Sequence, residues 1–554
     1  MRRNSQSYVW ASGRLNVEIV VTGVSAGLPG RDGSVFPKPG SKQCNIQRII
    51  GGENFISSIP DSVKDSMLEK NVVKLSRSGD GKLLRNPVTE YAQCVNVCAS
   101  IGEFDLTRYG VSESIASTMD KAVQVSVAAG LEALRDAGIV TGVGEGTSGW
   151  VLPLSMQQTT GVVYATSFPA LDTAISEVSR FFRSKLAEQA DLTSIIDSLR
   201  VKMQARCLSV DNTDTDLPGA VEAALQNLKE YLDSTAAGSV SEPRYEFDRK
   251  FLFRVLVLGN AQLAQIVKAK GPNMQTNAAC AGSTQAVAFA YDMIQVGRAQ
   301  RMIVIAGDNA SSDNLMPWLG NGFLALGAAT TQADVATAAL PFDVRRTGMI
   351  LGSGSIGMIL ESEEGAKRRH AVATQSDMVY RELHPSSFKC RVLGTLYSNS
   401  AFHGASLDRK HIAEELERFI ASIEFERGIS RNEIAAHGVY FSHETCTNAE
   451  PSKSCASNEI FALREVFGAE LSNLLILNTK GLTGHSMGVS FEDVVAAEVL
   501  VQGKVPPVAN LQQPDPFLGA DLKYSSGGEY ECKYALRFAA GFGSQVAIAL
   551  YGKY

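Results

Sequence analysis

No stretch of this chain stays apolar for the roughly 18–20 residues that a membrane-spanning helix needs, so no membrane span is expected. Lysine and arginine form no stripe, and 52 basic residues stand against 58 acidic ones for a formal net charge of −6. That balance argues against a nucleic-acid partner. No CxxC pair occurs among the nine cysteines, Cys44, Cys94, Cys98, Cys207, Cys280, Cys390, Cys446, Cys455 and Cys532. Their number is odd and their spacing irregular, which points away from a disulfide framework and toward a reducing compartment. His443, Cys446 and Cys455 are near in sequence, but no fourth residue at ligand spacing joins them, and no metal is expected. Low-complexity tracts and Pro/Ser linkers are also missing, so nothing cuts the chain into tethered domains. Residues 1–15 carry Arg2, Arg3 and Arg14 with three serines and no acid, which reads as a solvated N-terminal tail or the remnant of an organelle transit peptide.

What is present is an ordinary globular composition, 45% hydrophobic and 20% charged over 554 residues, enough for a large core. Short β-branched runs alternate with helical periodicity. VEIVVTG (17–23), TGVVYATS (160–167), RMIVIAGD (301–308), GVYFSHE (438–444), LLILNTKG (474–481) and a segment near 545–551 read as strands. Residues 114–137, 281–297 and about 491–502 read as helices. The apolar runs are continuous rather than alternating, as buried sheets require. The fold class is α/β. Residues 175–236 are polar and helix-periodic, with a break near 211–218, and read as an insertion.

The strongest local signal is Asn277–Ala–Ala–Cys280–Ala–Gly–Ser283 ahead of a long apolar helix. Small neighbours leave room for a substrate at the sulfur. A helix N-terminus offers unpaired N–H groups and partial positive charge, which favour a thiolate and can hold an oxyanion. A buried cysteine acting as a small hydrophobe fits the same residues. His443 follows a strand, and His485 sits in a glycine-bracketed turn. Each alone suits a structural role as well as a catalytic one. His370, His384, His403, His411 and His437 carry no such context.

Taken in order, the motifs resemble those of β-ketoacyl synthases. NAACAGSTQA resembles the nucleophile motif, MDKAVQVSVAAGLEALRDAGI (119–139) the helix before it, and GPN (271–273) its lead-in. PFDVRRTGMILGSGSIGMILE (341–361), SHETCT (442–447), NTKGLTGHSMG (478–488) and GFGSQ (541–545) resemble four further family motifs in the family's order. The resemblance spans residues 17–550. It implies a thiolase-like fold, two similar halves in five α/β/α/β/α layers, with residues 16–362 carrying the nucleophile and 363–554 carrying both histidines. It implies Cys280 as nucleophile, His443 and His485 as its partners in a decarboxylative condensation, and Lys480 as an electrostatic support. It further implies Thr445 and Thr447 as contacts to a pantetheine arm, Phe542 as a gate, and the backbone amides of Cys280 and Phe542 as an oxyanion hole. Substrates would arrive on the phosphopantetheine of an acyl carrier protein, with no bound cofactor, in a homodimer, in the cytoplasm or a plastid or organellar stroma. Other components of a synthase would act in trans or in a larger parent chain. The alternatives are a non-catalytic subunit resembling a chain-length factor, and a thiolase-type acyltransferase acting on coenzyme A esters.

Three departures stand out. Glu444 replaces the glycine usual after the first histidine, and Ser353 replaces a glutamate. The acid usual nine residues after the second histidine is Val494, with Glu492 and Asp493 just before it. Two motifs mislead. Gly484–His485–Ser486–Met487–Gly488 matches GxSxG, but no histidine follows position 485 to serve a serine nucleophile. Gly352–Ser353–Gly354–Ser355–Ile356–Gly357 matches GxGxxG, but a strand-like run follows where a dinucleotide site needs a helix, so a tight bend between strands is expected.

Overall fold

The computed structural model describes residues 17–31, 33–37, 44–77, 83–142, 144–186, 201, 223, 226–227, 245–376, 388–448 and 454–554. The N-terminal tail, Cys207, His384 and most of the insertion, with its expected break, lie outside them. Two compact units emerge, Met1–Ala170 with Leu256–Tyr554, and Leu171–Val255. The second is wider than the insertion expected at 175–236. Within it, residues 171–186 are helical, Tyr245 donates its hydroxyl to Glu177 at 2.7 Å, and Phe181 packs edge-on to Tyr245.

The first unit is built on an eleven-stranded sheet. Its strands are β1 (Ile19–Gly27), β2 (Thr160–Ala165), β3 (Asn273–Thr276), β4 (Arg301–Asp308), β5 (Gly354–Ser362), β6 (Cys390–Asn399), β7 (Gly438–Phe441), β8 (Leu475–Leu477), β9 (Lys523–Tyr524), β10 (Tyr534–Gly541) and β11 (Gln545–Lys553). In these labels the order is β9-β8-β7-β10-β11-β6-β1-β5-β4-β2-β3. Outward from the antiparallel β1/β6 seam, both directions repeat one plan. The first neighbour, β5 or β11, is antiparallel to the seam strand, and the next, β4 or β10, is antiparallel to that neighbour. The following two strands, β2 and β3 or β7 and β8, run parallel to it. The chain therefore holds two copies of one α/β half.

Five helices make the layers: α1 (Lys121–Asp136), α2 (Gly282–Gln295), α3 (Arg409–Arg427), α4 (Cys455–Phe467) and α5 (Phe491–Gln502). Helix α1 packs on β1, β4 and β5, and α3 on β6, β11 and α4. Helices α2 and α5 touch strands of both halves. They form the middle of five layers, as the resemblance implies. A middle helix has no polar face to spare, and α5 is buried at every position from Phe491 to Leu500. The central strands β1, β4 and β5 are likewise buried at every residue.

Several boundaries differ from expectation. The helix expected over 114–137 is two helices, Glu113–Ala116 and α1, because Asp120 caps the second by accepting from Val123 N at 2.9 Å. The strands expected over 438–444 and 474–481 stop at Phe441 and Leu477. The glycines of Gly352–Gly357 make no bend. They run into β5, where a Cβ on Gly357 would lie 2.3 Å from Ala129 O of α1, so they permit close approach of helix to sheet.

Candidate active site

Cys280 lies in the 3-10 turn Ala279–Ala281, one step ahead of α2. The last residue of β10 closes on this turn: a Cβ on Gly541 would lie 2.5 Å from Ala278 O and 2.9 Å from Cys280 N. That contact sets Gly541 beside the Cys280 amide, just ahead of a turn in which Gly543 has φ +77°. The Phe542 ring is 40% exposed and stacks on Phe323, with centroids 6.0 Å apart. Behind Cys280 lies an apolar cluster including Met316, Phe323, Met349, Leu351 and Met487.

His443 follows β7 by two residues, and its amide is held by Glu459 of α4 at 2.9 Å. Glu459 also accepts from Tyr440 and Ser442, so one buried carboxylate fixes the end of the strand. His485 is placed by backbone pairing, its N–H to Ile350 O at 2.7 Å and its C=O to Gly352 N at 2.9 Å. The two rings meet edge to face with centroids 5.7 Å apart. Both are buried, and Nδ1 of each has no hydrogen-bond partner among the described residues.

Lys480 bonds Glu492 at 2.8 Å, and Glu492 also accepts from Thr479 and Ser490 and lies 3.4 Å from Arg537. The acid absent at Val494 is thus supplied two positions earlier, by the first turn of α5. Burial pulls both imidazoles down, reinforced by the Lys480 cation, His443 well below its ordinary value and His485 to about 3. Both rings are therefore uncharged near neutral pH. Paired with two cations, Glu492 is held well below the usual carboxylate range.

The nucleophile expectation needs a correction. Burial pushes the Cys280 thiol up to about 12, helped by Cys455 and Asp308 and opposed by Lys480. Desolvation outweighs the helix terminus, which begins only at Gly282, and the resting group is a thiol rather than a thiolate. The Lys480 cation acts electrostatically on Cys280 and on both histidines, which places the four groups in one neighbourhood.

The threonine loop is engaged from within. Thr445 donates to Cys455 Sγ at 3.4 Å, and Thr447 Oγ1 accepts from Cys455 N at 3.2 Å, at the start of α4. Glu444 is fully buried, accepts from Ala456 N at 2.8 Å and faces Arg346 at 3.5 Å. Burial raises its carboxyl to about 7 despite Arg346. Backbone strain gathers here too. Ala279, Cys446, Met487 and Ser544 take positive φ values of 47°, 62°, 51° and 63°, each within two residues of an expected site residue. Sequence reasoning missed Glu459, Asp308, Arg346 and Arg537. The available signal was an acid or arginine inside an otherwise apolar strand or helix, as in RMIVIAGD.

Residues 257–366 match the model of the β-ketoacyl synthase N-terminal domain. A 3-oxoacyl-[acyl-carrier-protein] synthase 2 of Staphylococcus aureus (strain COL) is 26% identical over 308 residues, 54% of this chain and 65% of the relative, under two thirds of its length. An oxytetracycline polyketide putative β-ketoacyl synthase 1 of Streptomyces rimosus is 30% identical over 294 residues, 52% of this chain and 62% of that one. Over these segments the chain is similar to β-ketoacyl synthases. A crystal structure of a β-ketoacyl synthase from Burkholderia phymatum aligns with a TM-score of 0.64 at 17% identity, covering 97% of this chain and all of that one. A type II polyketide synthase ketosynthase, in complex with its acyl carrier protein, aligns at 0.61 and 17%, covering 97% of this chain and 99% of that one. The fold is that of the ketosynthases. No helix among the described residues is long and apolar enough to cross a membrane.

Proposed function

We propose that this β-ketoacyl synthase relative performs decarboxylative Claisen condensation, extending a Cys280-bound acyl group with malonyl carried on an acyl carrier protein. The observation that carries the reading is the pair of buried, uncharged imidazoles, perpendicular and 5.7 Å apart, coupled through Lys480 to a cysteine.

In the first half-reaction the carrier thioester passes its acyl group to Cys280. A thiol enters and a thiol leaves, so the proton of Cys280 balances that of the departing pantetheine and no resting thiolate is needed. The tetrahedral oxyanion is held by the amides of Cys280 and Phe542. In the second, malonyl thioester loses carbon dioxide, and charge collects on the thioester oxygen. His443 and His485 each donate one N–H to that oxygen. The proton belongs on Nε2, since this leaves an acceptor rather than a donor unpaired at the buried Nδ1. Neutral rings suit the task because they donate without giving the proton away. The enolate carbon attacks the acyl-Cys280 carbonyl, the carbon–sulfur bond breaks, and the departing sulfur takes a proton from solvent, since decarboxylative condensation consumes one proton overall. Lys480 is held by Glu492 as an electrostatic support, Thr445 and Thr447 line the pantetheine path, and Phe542 gates it.

The same reading takes an acyl carrier protein as partner, a homodimer as the assembly, substrates borne on phosphopantetheine with no further cofactor, and two halves meeting near residue 362. Intact-mass measurement tests it, with acyl-carrier thioesters of several lengths followed by malonyl-carrier protein, on wild type and Cys280→Ala. The expected result is an adduct on wild type only, discharged as a chain two carbons longer appears. No adduct with any donor, and no loss of carbon dioxide, would overturn the reading in favour of a non-catalytic partner subunit.

A further inference from the structure

Asp308 ends β4 and is fully buried, yet the chemistry above makes no use of it. Its carboxylate receives four groups. Oδ1 accepts from Thr166 Oγ1 at 2.8 Å, Ser167 N at 2.9 Å and Phe168 N at 3.2 Å, and Oδ2 accepts from Gly488 N at 2.8 Å. Two hydrogen-bond chains leave this point and reach the residues flanking Cys280, one at Ser283 and one at Ala279. One runs through the Gly488 peptide, whose C=O accepts from Ser283 N at 3.0 Å and Ser283 Oγ at 2.6 Å, in the first turn of α2. The other runs through Ser167, whose C=O accepts from Asn277 Nδ2 at 3.2 Å. The Oδ1 of Asn277 accepts in turn from Ala279 N at 3.0 Å. Ala279 is the left-handed residue directly before the nucleophile, so its conformation needs such support. Gly488 closes the turn that presents His485, and the contact tolerates no side chain there: a Cβ would lie 2.7 Å from Ser167 Oγ and 2.8 Å from Asp308 Oδ2.

We propose that Asp308 is a positioning residue for the condensation, locking the Cys280 turn and the His485 turn in one register through the Gly488 peptide and through Ser167 and Asn277. This rests on the function proposed above. A carboxylate suits the place because all four groups are donors. An asparagine could satisfy Oδ1 but would turn an N–H₂ toward the Gly488 N–H, severing that chain while keeping the shape.

The test measures kcat, KM for the carrier thioester and thermal midpoint for wild type, Asp308→Asn and Thr166→Val. The last removes one donor to Oδ1 and leaves both chains intact. Asp308→Asn is expected to lose about tenfold or more in kcat, with KM within about twofold, because sub-ångström misplacement of reacting groups acts on turnover. Thr166→Val is expected to keep kcat within about twofold. Should Asp308→Asn fail to fold, Asn277→Ala interrupts the second chain at an exposed side chain and carries the same expectation. The proposal is overturned if the variant that folds keeps wild-type kcat, or if Thr166→Val at an equal loss of thermal midpoint falls as far. Wild type that never condenses would instead sink the function proposed above, which keeps the two failures apart.

Discussion

At the scale of single residues, burial moves the titration of the site's groups away from neutral pH and so reinforces their uncharged forms. His443→Ala is expected to lower malonyl decarboxylation about 100-fold while Cys280 still takes an acyl group, since each donor to a developing oxyanion contributes on that order. Release of carbon dioxide and intact mass, measured on the same sample, separate the two steps, and equal loss of both would contradict the division of labour. The same burial links stability to pH. The His485 ring titrates near 3 in the fold against 6.5 for a free ring, so in that window the unfolded chain binds a proton that the folded one refuses. Stability from this source is whole above about 6.5 and drains away as pH falls, at up to about 1.4 kcal/mol per pH unit. Glu444, raised to about 7 from 4.5, acts oppositely between those values, keeping in the fold a proton that the unfolded chain has released. The difference between variants isolates the histidine. From about pH 7 to about pH 5.5, wild type should lose about 1 kcal/mol more unfolding free energy than His485→Gln in urea titrations. Parallel losses would show that the ring is protonated in the fold. Most of these residues were legible in order along the chain, because Cys280, His443, His485 and Lys480 sit in distinctive local motifs. Asp308 and Glu459 were not, since an acid in an apolar run says only that a partner must exist, not which one.

At the scale of elements, the decisive contacts are places where two backbones nearly touch. Gly541 is the clearest, joining the end of β10 to the nucleophile turn. Gly541→Ala would drive a methyl to 2.5 Å from Ala278 O and 2.9 Å from Cys280 N. The expected outcome is a loss of about 1–3 kcal/mol in stability, with Cys280 acylation slowed about tenfold or more as the turn shifts. Urea unfolding and intact-mass time courses check the two, and a variant acylated at the wild-type rate would show that β10 does not set the nucleophile. The expected helix over 114–137 divided because a capping aspartate restarts a helix whatever the apolar periodicity on either side. The glycines before β5 looked like a bend because sequence records only that a side chain is absent. The closeness of α1 explains why.

At the scale of the whole molecule, duplication and layering govern what can fold alone. Helices α2 and α5 pack on strands of both halves, and β1 pairs with β6 across the seam. Neither half should therefore form a stable core by itself. Fragments of residues 17–376 and 388–554 are expected to show no cooperative thermal transition separately, and a sharp transition from either one, read by circular dichroism, would contradict the shared middle layer. The amino-acid sequence by itself determined the α/β class, the position of most strands, the burial of the central strands and the choice of Cys280, His443, His485 and Lys480 as candidates. Each of these is written in patterns a few residues long. The tertiary structure alone decided that two similar halves share one sheet, that Glu492 holds Lys480, and that burial raises the Cys280 thiol and lowers both imidazoles. Those outcomes depend on the desolvation and charge that distant segments bring to one place, and no local pattern encodes them.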